Sequence, residues 1–248
     1  MIVLGFDTAT QATAVGLQLA DGSALQARDD PPAGAHPGHA TRLLGMAGEL
    51  LATAGLRWDD VQRIAVGLGP GRFTGLRVGI ATARGLAQSL SVELVGVSSL
   101  RALALGAEHA PTAPNATIAV IDARRGEAFV AAYAEQAEIE FPRALRPPEL
   151  EDLLAEVERR GGPREARWRA VGDGALLYSE ELFAAGVEVL EPGSPLHLIT
   201  GASVCRLGAL AAPAAPDSLA AILPDYRRSP DAALAQRDRP PAMGISRA

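Results

Sequence analysis

Asp7 and Asp122 each end a short strand-forming run, Ile2 to Asp7 and Thr117 to Asp122, and each is followed by a tight turn and a returning strand. Two hairpins of this kind, each supplying backbone amides and a carboxylate, can hold the phosphates and Mg²⁺ of a nucleotide. Asp7, Thr8, Asp122, Arg124 and Arg125 therefore form a candidate nucleotide or phosphate site, and a degenerate one. The first turn, Thr8 to Gln11, contains no glycine, so its backbone closes poorly on a phosphate. Arg124-Arg125 and Arg227-Arg228 are compact basic pairs, and guanidinium forks at a turn suit carboxylate or phosphate.

Other reactive side chains offer less. His36 and His39, beside Pro37-Gly38, could ligate a transition metal, but no third ligand lies near them in sequence, and no metal site is expected. His39 reads better as the polar start of a helix. Cys205 is the single cysteine, which excludes an internal disulfide and suits a core position. There is no G-x-S-x-G elbow and no lysine, so acyl-transfer and Schiff-base chemistry are unsupported. No catalytic residue is expected on this chain alone.

The glycine-rich stretch from Val66 to Gly79 is the most distinctive in the chain. A phosphate cradle there would need the lysine of G-x-x-x-x-G-K-[ST], and Gly69-x-Gly71-x-x-x-Gly75 has the wrong last interval for a dinucleotide fingerprint, so composition alone favours tight strand-to-helix packing, with a packing or partner face as the third reading. Beyond the turn the pattern is helical: Leu76, Ile80 and Leu86 suit an inward face, while Gly75, Gly79, Ala83 and Ala87 fall four apart on a stripe with almost no side chain. Such a stripe lets another helix backbone come close. It is expected to face outward, and with His39, Leu43, Leu44 and Ala47 of the preceding helix to form a partner interface.

The elements that must position these groups are set by periodicity. Strands are expected at Ile2 to Asp7, Ala12 to Leu19, Ala24 to Arg28, Gln62 to Gly67 and Glu93 to Gly96, with a hairpin at Asp21-Gly22. Helices are expected at His39 to Ala54, at Thr74 to Leu90 with Thr74 as N-cap, and from Ser98 or Ser99. Pro111 to Asn115 breaks the pattern. The second half begins like the first, then shows helical patterns at Pro148 to Arg160, Gly174 to Ala185 and Thr200 to Ala211, with strands near Trp168 to Gly172 and Val187 to Leu190. The expected fold class is α/β, two duplicated βββαβαβα lobes of the actin-like or sugar-kinase-like (ASKHA) kind. Residues 1–110 form the N-terminal lobe with the partner-binding helices, 111–226 the C-terminal lobe and 227–248 a loose tail. With 248 residues, 48% hydrophobic and a net charge of -6, the chain can bury a sizeable core but is not built to grip nucleic acid by itself. The N-terminus has no basic region or signal-like run and no segment reaches membrane-spanning length, so a cytoplasmic protein without membrane contact is expected.

Several of these motifs together resemble the bacterial TsaB (YeaZ) family. They are Phe6-Asp7-Thr8-Ala9-Thr10, His39 to Leu44, Gly67 to Gly79, Val95 to Leu100, Ile121 to Glu127 and, near the end, Pro224-Asp225-Tyr226-Arg227. Arg72 stands where that family usually has serine or another small residue. The resemblance implies an ASKHA fold and a part in forming N6-threonylcarbamoyladenosine at position 37 of ANN-decoding tRNAs. It implies a non-catalytic, dimerising subunit that activates the paralogue TsaD, meets the ATPase TsaE through the complex and touches tRNA only indirectly. ATP or ADP would belong to the complex, with no cofactor for the isolated chain. The paralogue's metal-binding H-x-x-x-H follows its G-x-V segment; here Ser98 to Leu103 holds no histidine. The alternative is an independent ASKHA phosphotransferase or peptidase-like hydrolase.

Overall fold

A computed structural model of the chain describes residues 1–248 apart from 33, 109–115, 136, 165, 214–218, 220 and 228–248. The expected break at Pro111 to Asn115, and the expected tail beyond Arg227, fall outside the described residues. Strands β1 (Val3–Asp7), β2 (Thr13–Gln18) and β3 (Ala24–Asp29) form an antiparallel meander, and β4 (Arg63–Gly67) and β5 (Glu93–Val97) extend it in parallel, giving the order β3-β2-β1-β4-β5. In the second half β6 (Ala116–Arg124), β7 (Glu127–Ala134), β8 (Ala137–Leu145), β9 (Trp168–Val171) and β10 (Glu188–Val189) repeat it, as β8-β7-β6-β9-β10. The same antiparallel and parallel pairings thus recur in the same sequence. The chain has the duplicated α/β organisation expected from its pattern.

The helices sort into layers because each strand alternates its side chains between two buried faces. Leu4, Phe6, Val15 and Leu17 face α1 (His39–Thr53) and α2 (Phe73–Leu90) in one core. On the opposite face Val3, Ala65 and Val95 meet α3 (Ser99–Glu108) and α8 (Gly201–Leu210). That same core continues into Ala119, Ile121, Phe129 and Tyr133 of the second sheet. Beyond that sheet, Ile118, Val120 and Val130 pack on α4 (Pro147–Glu151), α5 (Leu153–Arg159), α6 (Asp173–Leu177) and α7 (Ser179–Ala184). Helix α8, from the second half of the chain, lies on β1, β2 and β4, while α3, from the first half, lies on β6.

Local departures have local causes. Strand β8 was absent from the sequence pattern because Glu138, Glu140, Pro142 and Arg143 interrupt its alternation; as an edge strand it can carry proline and charge. The helix expected over Pro148 to Arg160 is two helices broken at Asp152, and the one over Gly174 to Ala185 is broken at Tyr178. Tyr178 leaves helical geometry to bury its ring, and its hydroxyl donates to the Glu127 carbonyl at 3.3 Å. Helix α2 begins one residue before the expected cap, with Arg72 as N-cap and no side-chain cap bond.

Candidate functional site

The first hairpin is closed. Asp7 is only 2% exposed, and its carboxylate accepts bonds from the Ala9 amide at 2.7 Å and the Ser99 hydroxyl at 2.5 Å. Ser99 in turn accepts from the Gly69 amide and donates its own amide to the Gly69 carbonyl. Burial pushes the Asp7 carboxyl above its ordinary range, although the bonds from Ser99 and Ala9 and the charge of Arg28 oppose it. Thr8 is fully buried, its hydroxyl donating to the Gly75 carbonyl at 2.8 Å, and the Ala9 carbonyl accepts from the Arg72 amide at 2.7 Å. The hairpin is therefore clamped on the glycine-rich turn and the start of α2. Asp7 and Thr8, expected beside a phosphate, are instead sealed in the fold, because their oxygens are consumed in joining three chain segments.

The second hairpin is open. Asp122 accepts from the Arg124 amide at 2.7 Å and pairs with the Arg124 guanidinium at 3.3 Å. Its own amide donates to Asp173 at 3.0 Å. Arg124, Arg125 and Gly126 all take positive φ, so the turn projects both arginine side chains outward at the edge of a cleft. That cleft, about 660 Å³, is bounded by Arg72, Phe73 and His39 of the first half and Asp122, Arg124 and Arg125 of the second. With its amide oxygen turned to face the available donors, Gln11 accepts from Arg72 at 2.9 and 3.2 Å and from Arg124 at 3.1 Å. Two guanidiniums from opposite halves thus meet on one neutral oxygen.

The expected partner face is largely turned inward. Gly75, Gly79, Ala83 and Ala87 are all buried, as are His39, Leu43 and Ala47; of the eight residues named, only Leu44, 48% exposed, lies at the surface. The stripe is bare because the first hairpin runs beneath it: a Cβ at Gly75 would strike the Thr8 carbonyl, and one at Gly79 the Thr8 hydroxyl. His39 bonds Thr13 through Nδ1 at 2.9 Å, and burial lowers its pKa, with the Thr10 backbone and Asp29 opposing. His36 is exposed, and among the described residues no group of three or more potential ligands gathers to hold a metal. Cys205 is in the core, as its type and context suggested.

Gln11, Arg72 and Ser99 are the site residues that sequence reasoning missed. Ser99 had a signal, since a serine pair after Val97 at a helix start has polar atoms to place. Gln11 and Arg72 had none, because their meeting with Arg124 depends on three separate turns.

Two sheets of one strand order, sharing helices α3 and α8 between them, define the actin-like ASKHA class. The ethanolamine utilization protein EutJ from Carboxydothermus hydrogenoformans, at 14% identity, shares the fold with a TM-score of 0.52 over 84% of this chain and 90% of its own. A family model described as TsaD: tRNA N6-adenosine threonylcarbamoyltransferase matches residues 31–144. The tRNA threonylcarbamoyladenosine biosynthesis protein TsaB of Escherichia coli (strain K12) is 38% identical over 138 residues, 54% of this chain and 55% of its own. An uncharacterized protein from Pseudomonas aeruginosa with similarity to peptidase YEAZ superposes with a TM-score of 0.74 at 30% identity, over 92% of this chain and 99% of its own. This chain belongs to the TsaB (YeaZ) family. It spans about half the length of the curated relatives it matches. No described helix is long and apolar enough to cross a membrane.

Proposed function

We propose that this chain is a non-catalytic subunit in the formation of N6-threonylcarbamoyladenosine at position 37 of ANN-decoding tRNAs, acting in the cytoplasm by binding and activating the paralogue TsaD. The closed first hairpin carries this reading. A nucleotide-using enzyme of this fold needs an open carboxylate beside free backbone donors, and here Asp7 is buried and the Ala9 amide is already committed to its carboxylate. The names of the sequence relatives and the TsaD family-model match support the pathway. Alone, the chain pairs with itself; TsaE and tRNA meet it through the complex, where any ATP or ADP is held.

The contact surface belongs on the outward sides of α1 and α2. Ala40, Leu44 and Gly45 are exposed on α1, and Ala81 and Gly85 on α2. A Cβ at Gly45 or Gly85 would meet nothing within 4 Å, so packing within this chain gives no reason for glycine there. Glycine inside an exposed helix costs about 0.8–1 kcal/mol relative to alanine, and a closely approaching partner backbone supplies a reason for it. The test is Gly85→Leu and Leu44→Arg, each followed by light scattering alone and mixed with TsaD, with a thermal melt beside it. An unchanged melt with lost assembly is the expected result. Intact assembly in both variants, or threonylcarbamoyl transfer by the purified chain alone, would overturn the proposal.

A further inference from the structure

We propose that a small cavity at the end of the first sheet away from its hairpin clamp binds a short organic hydroxy acid through its carboxylate. The register places it. Asp7, where β1 runs into the first hairpin, pairs with Ala14, whereas Gln18, at the other end of β2, pairs with Val3. At that far end the start of α8 and the last turn of α3 meet β2 and β3 around a space of about 310 Å³, with Gln18, Gln26, Leu105, Thr200, Ser203 and Arg206 on its walls. It shares no lining residue with the cleft between the halves. Ligand sites occupy about 300–1,000 Å³, so this one admits only a small molecule.

The walls offer donors and no carboxylate. The Thr200 and Ser203 hydroxyl oxygens stand 2.9 Å apart, and Thr200 Oγ1 also accepts from the Ser203 amide at 3.1 Å. One hydroxyl proton is therefore spent between the two side chains, and the other finds no acceptor among the described residues. Ser203 is only 7% exposed, so bulk water does little to satisfy that proton, and a buried donor left unpaired is costly. Gln26 uses its Oε1 to accept from the Ala202 amide at 3.4 Å, which leaves both of its side-chain N–H donors unspent. The Gln18 side chain makes no hydrogen bond among the described residues, and Arg206 makes no ion pair there.

The charge decides the class of anion. One guanidinium balances a single negative charge, and its planar fork matches the two oxygens of a carboxylate. A phosphate dianion would be left half compensated. The carboxamide oxygen of Gln18 can accept from a hydroxyl on the ligand, which favours a hydroxy acid over a simple fatty acid. This inference is independent of the partner reading, because the cavity belongs to this chain alone and none of its walls comes from α1 or α2.

Lactate is the probe, with lactamide and inorganic phosphate as the other arms, titrated into the whole chain at constant ionic strength and followed by calorimetry and amide resonances. Lactate should bind saturably in the millimolar range and move the side-chain amide signals of Gln18 and Gln26, while the backbone signals of Arg124 and Arg125 stay in place. Lactamide, which keeps the hydroxyl and loses the charge, should bind about tenfold more weakly or worse, the scale of one charge-assisted bond. Arg206→Gln, at an exposed position, should weaken lactate by a similar factor with an unchanged melting temperature, and Ser203→Ala should weaken it as well. No saturable binding at millimolar lactate, undiminished binding by Arg206→Gln, tighter binding of phosphate than of lactate, or shifts centred on Arg124 and Arg125 would each overturn the site.

Discussion

Asp7 sits at the end of a buried strand with its two oxygens divided between Ala9 and Ser99, so its value to the protein is as a clamp. Its folded pKa is raised above 3.8, chiefly by burial, which fixes the sign of its pH effect. The native state keeps this proton to higher pH than the unfolded chain, so Asp7's contribution to stability falls as pH climbs from the ordinary carboxylate value through the raised one. Asp7→Asn removes that titration. Denaturant midpoints of the two proteins from pH 4 to 7 should therefore shift in favour of the asparagine variant as pH rises, and parallel curves would show that Asp7 does not titrate in this window. Ala83 makes the opposite demand. It is fully buried between α2 and the first sheet, so Ala83→Arg places a charge in a dry core and should cost several kcal/mol, enough to unfold a marginal domain. A soluble, cooperatively melting Ala83→Arg protein would mean the stripe can face water after all.

Helix α2 explains what the sequence could and could not reveal about its elements. Its span, and those of α1, β1 and β4, were legible because long periodic runs leave little choice. The direction of its small stripe was not: Gly75, Gly79, Ala83 and Ala87 adjoin Leu76 and Ile80, and a local pattern cannot say which of two neighbouring faces meets the sheet. Thr8, 67 residues away from Gly75, decides it by requiring a bare backbone above the first hairpin. The cleft was half legible in the same way, with Asp122, Arg124 and Arg125 announced by their turn and Gln11 and Arg72 hidden in others. A further contact falls on the outer side of α2. The Arg77 guanidinium lies 3.7 Å from the Phe73 ring centre, Tyr226 stacks on that ring at 5.2 Å, and Arg84 donates to the Ile222 carbonyl at 2.5 Å. This segment is tied down by surface contacts, including the bond from the Asp225 amide to the Leu68 carbonyl. Tyr226→Ala should remove about 0.5–1.5 kcal/mol of ring pairing and leave the body of α2 intact. In hydrogen exchange the Asp225 amide should lose protection while the amides of α2 keep theirs; unchanged protection at Asp225 would show that the ring stack does not hold the segment.

At the scale of the molecule, the duplicated sheets suggest two units, but the core does not divide between them. One cluster runs from Val3 and Val95 through α3 and α8 to Ile121, Phe129 and Tyr133, so each half covers part of the other's sheet. Separating the halves would expose both faces of that middle layer at once, and the cost of exposing apolar surface, about 25 cal/mol per Å², makes a half-folded state unfavourable. Unfolding should then be a single cooperative event. The chain carries suitable reporters: Trp58 lies beside the first sheet, Trp168 is buried in the second, and Cys205 is the only thiol. Cys205 Sγ faces the Val3 carbonyl at 3.4 Å inside the shared layer, and burial pushes its pKa up to about 12, so little reactive thiolate exists in the native state. Denaturation of Trp58→Phe and Trp168→Phe, each followed by its remaining tryptophan and by far-ultraviolet circular dichroism, should give coincident transitions within each variant. Thiol labelling of the unaltered chain should proceed only at the rate of global unfolding. If one tryptophan reports an earlier transition than the backbone signal, or if Cys205 reacts while both lobes retain their structure, the two halves separate on their own and the shared middle layer does not bind them into one unit.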